Sequence, residues 1–327
     1  MIQARYFNVS ENHIVDVKPE QFASALQDPQ GLLWVDFSGE SPQESEPILR
    51  QTFGFHPLAV DDALQESHVP KIDDWGQFLY IVFHELVFEP GSEDIKTVEL
   101  DVFLGENYIV THHDLPVPSL SRVWEACQRD DRYLKMDADH LLYKLADELV
   151  ADYMQVVDEM DKEIEFVEDE IFKKPSSVMV QKLFDLKRAT LQLRRTLSPQ
   201  REVLNKLARN DFAVIDANDR IYFRDVYDHL VRLHDISEGL RDLVGGALDT
   251  YLSVINNRMN DVMKTLTLIT TLFMPISFVA GFFGMNFFQP VDQLSIWTSN
   301  PAFIAMLVIV VATPMGMFMW MRRRGWM

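Results

Sequence analysis

The stretch TLTLITTLFMPISFVAGFFGM, residues 265–285, contains no charged side chain. A second uncharged run, PAFIAMLVIVVATPMGMFMWM, occupies residues 301–321. At 1.5 Å per residue, each run would form a helix about 31 Å long, which matches the hydrocarbon thickness of a bilayer. Two core helices of a soluble protein are the alternative, but two consecutive uncharged runs of this length favour a pair of transmembrane helices.

The charges beside these runs predict how the chain crosses the membrane. Arg322–Arg324 follow the second run directly, whereas the connecting segment 286–300 contains no lysine or arginine. The positive-inside rule therefore predicts a cytoplasmic carboxyl terminus. Two crossings return the chain to its starting side, so we expect a cytoplasmic amino terminus in a multi-pass protein of the inner or plasma membrane. The first 17 residues lack the apolar core of a signal peptide, which agrees with this topology.

The part of the chain before the first run is strongly acidic. Residues 1–264 carry 27 Lys and Arg against 49 Asp and Glu, although 47% of the whole chain is apolar. Such a body attracts cations and repels nucleic acid, so no nucleic-acid partner is expected. Cys127 is the only cysteine, which excludes a disulfide framework and a cysteine-based zinc finger. The chain also lacks the GxxxxGK[ST] motif of nucleotide-driven pumps.

Short apolar runs separated by turn residues dominate the chain before residue 135. This pattern predicts an α/β domain with a mixed sheet, and Gly105-Glu106-Asn107 is typical of a hairpin turn. The predicted strands lie at residues 32–37, 78–88, 98–104 and 108–111, with a helix at about 59–65.

Turn signals almost vanish after this domain. Residues 138–172 and 177–209 predict two long helices separated at Lys174-Pro175, and a third helix begins near Asp219 and continues into the first uncharged run. The predicted class is an α+β cytoplasmic domain followed by long helices and two transmembrane helices. The predicted parts are a cytoplasmic α/β domain at 1–135, a long-helix and stalk region at 136–264, transmembrane helices at 265–285 and 301–321, an outer loop at 286–300 and a basic cytoplasmic tail at 322–327.

One face of the third helix carries a polar stripe. Asn260, Thr267, Met274 and Gly281 recur every seven residues, and other hydroxyl side chains lie near this face. Hydroxyl groups in a membrane helix can serve packing between helices, which is the simpler explanation of the membrane part alone. The continuation of the stripe to Asn260 and the acidic body favour a water-filled lumen. Two helices cannot enclose a lumen, so a pore would require an oligomer of this chain.

Four segments together resemble the CorA family of magnesium channels. They are MKTLTLITTLFMPISFVAGFFGMNF (263–287), which contains Gly284-Met285-Asn286, YFRDVYDH (222–229), FGFHPLAVDDAL (53–64) and RRRGW (322–326). The resemblance covers essentially the whole chain. It implies a homopentamer with a funnel-shaped cytoplasmic domain, whose first span lines the pore and whose second span faces lipid. It also implies uptake of Mg²⁺, with Co²⁺ and Ni²⁺ as further substrates, rather than enzymatic activity, and no organic cofactor.

The resemblance assigns the ion pathway to the end of the first span. Gly284, Met285 and Asn286 correspond to the selectivity filter, where a ring of amide oxygens would bind a Mg²⁺ ion that keeps its water shell. Asn286 by itself is explained equally well as a helix C-cap. Leu266 and Met274 fall at positions that resemble hydrophobic constrictions of the family pore. The candidate pore-lining residues are Asn260, Leu266, Thr267, Thr271, Met274, Ser277 and Gly281.

A set of aspartates corresponds to the family's regulatory metal sites. Asp62, with Asp61 beside it, matches the acidic pair of the amino-terminal domain, and Asp225 matches its partner in the stalk. Asp147 is a further carboxylate near Asp225, and Asp249 matches an acidic ring at the cytoplasmic end of the pore. Each of these could be a solvated surface charge. In the family such pairs face each other across the subunit boundary, so cytosolic Mg²⁺ bound between them would hold the pore closed.

Two departures from the family pattern leave the substrate open. Phe283 stands where the family commonly has tyrosine, and the outer loop offers only Asp292 as an acid. One alternative function is a zinc, cobalt or nickel transporter of the same superfamily, although Met285 argues mildly against zinc. Another is a membrane-anchored sensor that conducts nothing. His112-His113-Asp114 could suggest a metal hydrolase, but adjacent residues on a strand point to opposite faces, so a structural role is predicted.

Overall fold

The computed structural model describes residues 1–8, 13–65, 69–88, 95–129, 137–285 and 300–325. The chain divides into two units, Met1–Asp249 and Thr250–Met327. The first unit contains one seven-stranded sheet in the order β2-β1-β3-β7-β6-β5-β4. Its strands are β1 (Ile2–Asn8), β2 (His13–Asp16), β3 (Leu32–Ser38), β4 (Lys71–Asp74), β5 (Leu79–Phe88), β6 (Ile95–Leu104) and β7 (Tyr108–His113).

The sheet is mixed, as predicted. β3 and β7 run parallel, and the other neighbouring strands are antiparallel. The hairpin between β6 and β7 turns at Gly105, whose missing side chain leaves room for the ring of Tyr108. The predicted strands β3, β5, β6 and β7 are therefore confirmed, whereas β1, β2 and β4 were missed.

Helices cover both faces of the sheet, which explains why the central strands are apolar at nearly every position. The helices of the first unit that precede the long ones are α1 (Phe22–Ala25), α2 (Pro42–Pro47), α3 (Pro57–Leu64) and α4 (Pro118–Arg129). On one face, Ala59, Val60 and Ala63 of α3 belong to the same buried cluster as Tyr80 and Phe103 of the sheet. On the other face, Trp34 of β3 packs edge-on against Trp124 of α4, with ring centroids 4.6 Å apart.

Three long helices follow, and their bounds agree with the sequence patterns. α5 (Ala138–Lys173) ends just before Lys174-Pro175, and α6 (Ser177–Arg209) begins just after this break. α7 (Arg220–Gly284) is a continuous helix of 65 residues that includes Pro275. α8 (Asn300–Arg323) is the last helix. By length and composition, α7 and α8 each contain a segment able to cross a membrane, and neither segment is buried in the single chain.

A buried carboxylate joins β5 to α4 and α5. Glu85 accepts hydrogen bonds from the backbone N–H of Ser119, at 3.1 Å, and from its hydroxyl, at 2.7 Å. Burial, together with a bond shared with Asp152, raises the pKa of Glu85 to about 7. Asp152 is in turn paired with Arg122 at 2.7 Å, and Arg122 also binds Glu148. The contact between the carboxyl groups of Glu85 and Asp152 is therefore most favourable when the two groups share one proton.

The contact of Glu85 with Asp152 predicts a pH-dependent stability. A carboxyl whose folded pKa is raised stabilises the fold at low pH and loses that contribution as pH rises through the folded value. We expect Glu85→Gln, whose amide can donate to Asp152, to match the wild type near pH 5 and to be more stable by about 1–3 kcal/mol at pH 8. Thermal unfolding at both pH values measures this, with the exposed Glu165→Gln as control. A wild type at least as stable as Glu85→Gln at pH 8 would refute the assignment.

Candidate ion pathway and ion-sensing residues

The predicted pore-lining residues all lie on the second half of α7. In the single chain, Leu266, Thr267, Met274 and Ser277 are exposed, as are Asn260 and Gly281, whereas Thr271 is half-buried. This face of α7 is therefore available for water, for lipid or for another copy of the chain.

The hydroxyl groups of α7 fall into two classes. Thr265 and Thr270 each donate to the backbone carbonyl four residues earlier, at 2.9 Å, which satisfies the hydroxyl within its own helix. Within the described part of the chain, the stripe residues Thr267, Thr271 and Ser277 make no such bond. An unpaired hydroxyl is costly in hydrocarbon. These three groups therefore need water or a neighbouring chain as their partner.

The predicted filter lies at the end of α7. The backbone N–H of Met285 donates to the carbonyl of Phe282 at 3.4 Å, and the Met285 side chain is exposed. In the single chain, a side chain added at Gly284 would meet nothing within 4 Å, and its φ is not positive. Asn286 and the rest of the predicted outer loop up to residue 299 lie outside the described residues.

The amino-terminal acidic pair lies on α3, and each carboxylate has a basic partner. Asp61 Oδ1 lies 2.6 Å from Arg50 Nη2, and Asp62 is in close contact with Lys71 Nζ. Partial burial tends to lower the pKa of Lys71, but its bonds to Asp62 and Asp73 outweigh this effect and raise it. A cation arriving at Asp62 would therefore have to compete with Lys71.

The stalk carboxylates come together in one chain. Burial raises the pKa of Asp147 on α5, and the negative charge of Asp225 on α7 raises it further. Burial raises the pKa of Tyr143, and the same two carboxylates raise it further. The Tyr143 ring stacks on Tyr222, with ring centroids 5.0 Å apart. Lys144 and His229 act in the opposite direction and lower the pKa of Asp147, so a cation that binds these two carboxylates would meet positive charge already nearby.

The predicted sensor residues do not form a complete metal site in a single chain. Asp249 is exposed on α7 and lies 24 residues beyond Asp225, about 36 Å along the helix. In the described ranges, Asp62 is paired with Lys71 rather than with a stalk carboxylate, and no group of three or more His, Cys, Asp or Glu is placed to hold a metal ion. Pairing across a subunit boundary thus stays a prediction.

Sequence reasoning missed Arg50 and Lys71, the partners of the acidic pair. Both lie outside α3, and no local pattern marks a lysine nine residues from its carboxylate. The histidines, by contrast, lie as predicted on opposite faces of β7. His112 Nδ1 is 3.5 Å from Asp101, and His113 Nε2 is 3.5 Å from Asp36.

The sequence and the fold both match known proteins. Residues 29–323 match the family model described as "CorA-like Mg2+ transporter protein". The Bacillus subtilis protein YfjQ is 35% identical over 295 residues, covering 90% of this chain and 89% of that protein. The cobalt/magnesium transport protein CorA of Thermotoga maritima is 32% identical over 299 residues, covering 90% and 83%.

The fold agrees with a complete solved structure. The CorA magnesium transporter of Methanocaldococcus jannaschii superposes with a TM-score of 0.84 at 22% identity, over 100% of this chain and 99% of that one. The match includes the mixed sheet, the long helices and the two carboxyl-terminal apolar helices. The chain therefore belongs to the CorA-like Mg²⁺ transporter family, a family of membrane transporters for divalent cations.

Proposed function

We propose that this chain forms a homopentameric channel in the cell membrane that admits Mg²⁺, and also Co²⁺ and Ni²⁺, to the cytoplasm. The unpaired hydroxyl groups of Thr267, Thr271 and Ser277 on one exposed face of α7 carry the proposal. Five copies of that face arranged around an axis would give these hydroxyl groups water as a partner. Both termini of each chain would lie in the cytoplasm. A divalent cation entering across 100 mV gains about 4.6 kcal/mol, so no other energy source is required.

The choice of Mg²⁺ as the main substrate rests on filter chemistry and on relatives. Neutral amide oxygens of Asn286 suit an ion that releases its inner waters reluctantly, because they bind the water shell without trapping the ion. Leu266 and Met274 would narrow the pore with apolar rings that exclude ions when they dewet. The Thermotoga maritima relative is named as a cobalt/magnesium transport protein, which supports the same substrate class.

In this proposal, cytosolic Mg²⁺ closes the pore by binding at the acidic sites. Asp62 and Asp61 of one subunit would face Asp225 and Asp147 of the next, and a bound Mg²⁺ would relieve the repulsion between them. Asp249 would add an acidic ring at the inner end of the pore. Because Lys71 already neutralises Asp62, closure would require enough Mg²⁺ to displace that ammonium group. Loss of Mg²⁺ would then favour the open state.

Ion flux into proteoliposomes that contain the purified chain tests the proposal. We expect Mg²⁺, Co²⁺ and Ni²⁺ to enter under an inside-negative potential, and internal Mg²⁺ to reduce the flux. Flux of Zn²⁺ without Mg²⁺ would instead identify the zinc, cobalt or nickel transporter. Protein that reconstitutes as an oligomer but passes none of the four ions would identify a sensor that does not conduct.

A further inference from the structure

A cavity of about 710 Å³ lies between the sheet and α6 in the first unit. One face of the sheet packs on α3 through Tyr80, Phe103 and Val110. Every second residue of a strand lies on the same face. Further along the same three strands, this face carries polar side chains. These residues, His84 on β5, Glu99 and Asp101 on β6 and His112 on β7, line the cavity floor. Its volume is in the range of small-molecule sites.

The carboxylates of the floor already have partners. Glu99 Oε2 lies 3.5 Å from His84 Nε2, directly across the β5–β6 pair. Asp101 accepts a 2.6 Å hydrogen bond from the hydroxyl of Tyr80. Burial raises the pKa of Asp101 to about 6, but its charge is still present near neutral pH. The floor therefore accepts neutral hydrogen-bond donors and disfavours a second negative charge.

His112 is the unsatisfied group of the floor. It is 3% exposed, and neither ring nitrogen has a hydrogen-bond partner among the described residues. Its Nδ1 lies 3.5 Å from Asp101 Oδ2 without hydrogen-bond geometry, and its Nε2 has no partner. Leaving such a group buried and unpaired costs about 1–3 kcal/mol. A polar group of a bound molecule would remove this cost.

The wall formed by α6 has the opposite charge. Arg188 and Arg195 are seven residues apart, so they lie on one face of the helix, and both line the cavity. Arg188 is bonded to Asp185. Arg195 is exposed and makes no ion pair within the part of the chain that the structure describes.

We propose that this cavity binds a phosphorylated polyhydroxyl compound of metabolite size, such as a sugar phosphate. Arg195 holds the phosphate at the α6 wall, where a guanidinium can bind two of its oxygens. The hydroxyl groups reach the floor, where one hydroxyl donates to Asp101 and another bonds to His112. Inorganic phosphate supplies only the first contact. The proposal does not depend on ion conduction.

Isothermal titration calorimetry on the full-length protein in detergent tests this assignment, with glucose 6-phosphate, inorganic phosphate and glucose as probes. We expect one saturable glucose 6-phosphate site per chain, with phosphate and glucose each binding at least about tenfold more weakly, equal to about 1.4 kcal/mol. Arg195→Gln should lower the affinity for glucose 6-phosphate at least about tenfold. Arg201→Gln, on the same helix but outside the cavity, should leave the affinity unchanged.

A second variant separates the floor from the wall. His112→Gln should lower the affinity for glucose 6-phosphate. The weaker affinity for inorganic phosphate should stay the same as in the wild type. If that buried variant does not fold, the exposed Arg195→Gln still decides the matter. The proposal would be overturned if the wild type and Arg195→Gln bound glucose 6-phosphate with equal affinity. It would also be overturned if neither glucose 6-phosphate nor inorganic phosphate showed saturable binding to the wild type.

Discussion

Replacing Asn286 with alanine is expected to reduce Mg²⁺ flux at least about 100-fold. This reduction corresponds to an increase of about 2.7 kcal/mol in the rate-limiting free-energy barrier. The amide oxygens of five copies would replace bulk water around the shell of the hydrated ion, and the methyl group of alanine offers no acceptor in their place. The residue directly follows Met285, the last described residue after α7. Flux of Mg²⁺ into proteoliposomes, read with an internal indicator dye, measures the effect.

Asn300→Ala provides the matched control for the filter variant. It removes an amide at the start of α8, at the other end of the same predicted loop. We expect it to retain most of the wild-type flux. If Asn286→Ala conducted Mg²⁺ as fast as the wild type, the assignment of the filter to Gly284-Met285-Asn286 would be wrong, although the remainder of the α7 stripe could still line a pore.

Replacing Asp225 with lysine should weaken closure of the pore by internal Mg²⁺. Burial raises the pKa of Asp147, and the charge of Asp225 adds to that shift. A lysine at position 225 would remove a carboxylate and repel the arriving ion. We expect the internal Mg²⁺ concentration that halves the flux to rise by about tenfold or more, a loss of about 1.4 kcal/mol of binding free energy. Proteoliposomes loaded with graded Mg²⁺ concentrations measure this shift.

Two further variants separate the causes of that shift. Asp225→Asn removes the carboxylate without adding a positive charge, so it should weaken inhibition by Mg²⁺ less than the lysine does. Asp235→Lys changes an exposed carboxylate on the same helix, away from Asp147, and should leave the inhibition unaltered. Inhibition by internal Mg²⁺ that is the same in Asp225→Lys as in the wild type would contradict the sensor assignment.

The elements that sequence analysis recovered are those whose signal lies in their own residues. The uncharged runs at 265–285 and 301–321 and the long helices on either side of Lys174-Pro175 needed no distant contact to be recognised. The opposite orientation of His112 and His113 followed from the period of a strand. Composition and periodicity alone could not decide between packing and a lumen for the α7 stripe.

The elements that were missed depend on partners far along the chain. β4 is four residues long and three of them are charged, so only its pairing with β5 defines it as a strand. α4 begins at Pro118, where Ser119 binds the buried Glu85 from a strand 34 residues earlier. The pairing of Asp62 with Lys71 likewise requires the fold to bring two segments together, and a site between subunits requires a second chain.

If copies of α7 surround a water-filled axis, as we propose, a cysteine at position 267 should react with a reagent dissolved in water. Burial of the native Cys127 raises its thiol pKa to about 12, so it is expected to stay unreactive. Thr267→Cys and the control Ile269→Cys point about 200° apart around the helix. A charged, membrane-impermeant methanethiosulfonate should label Thr267→Cys and block its Mg²⁺ flux, while Ile269→Cys stays unlabelled. Labelling of Ile269→Cys with Thr267→Cys protected would place the stripe against lipid and contradict the claim.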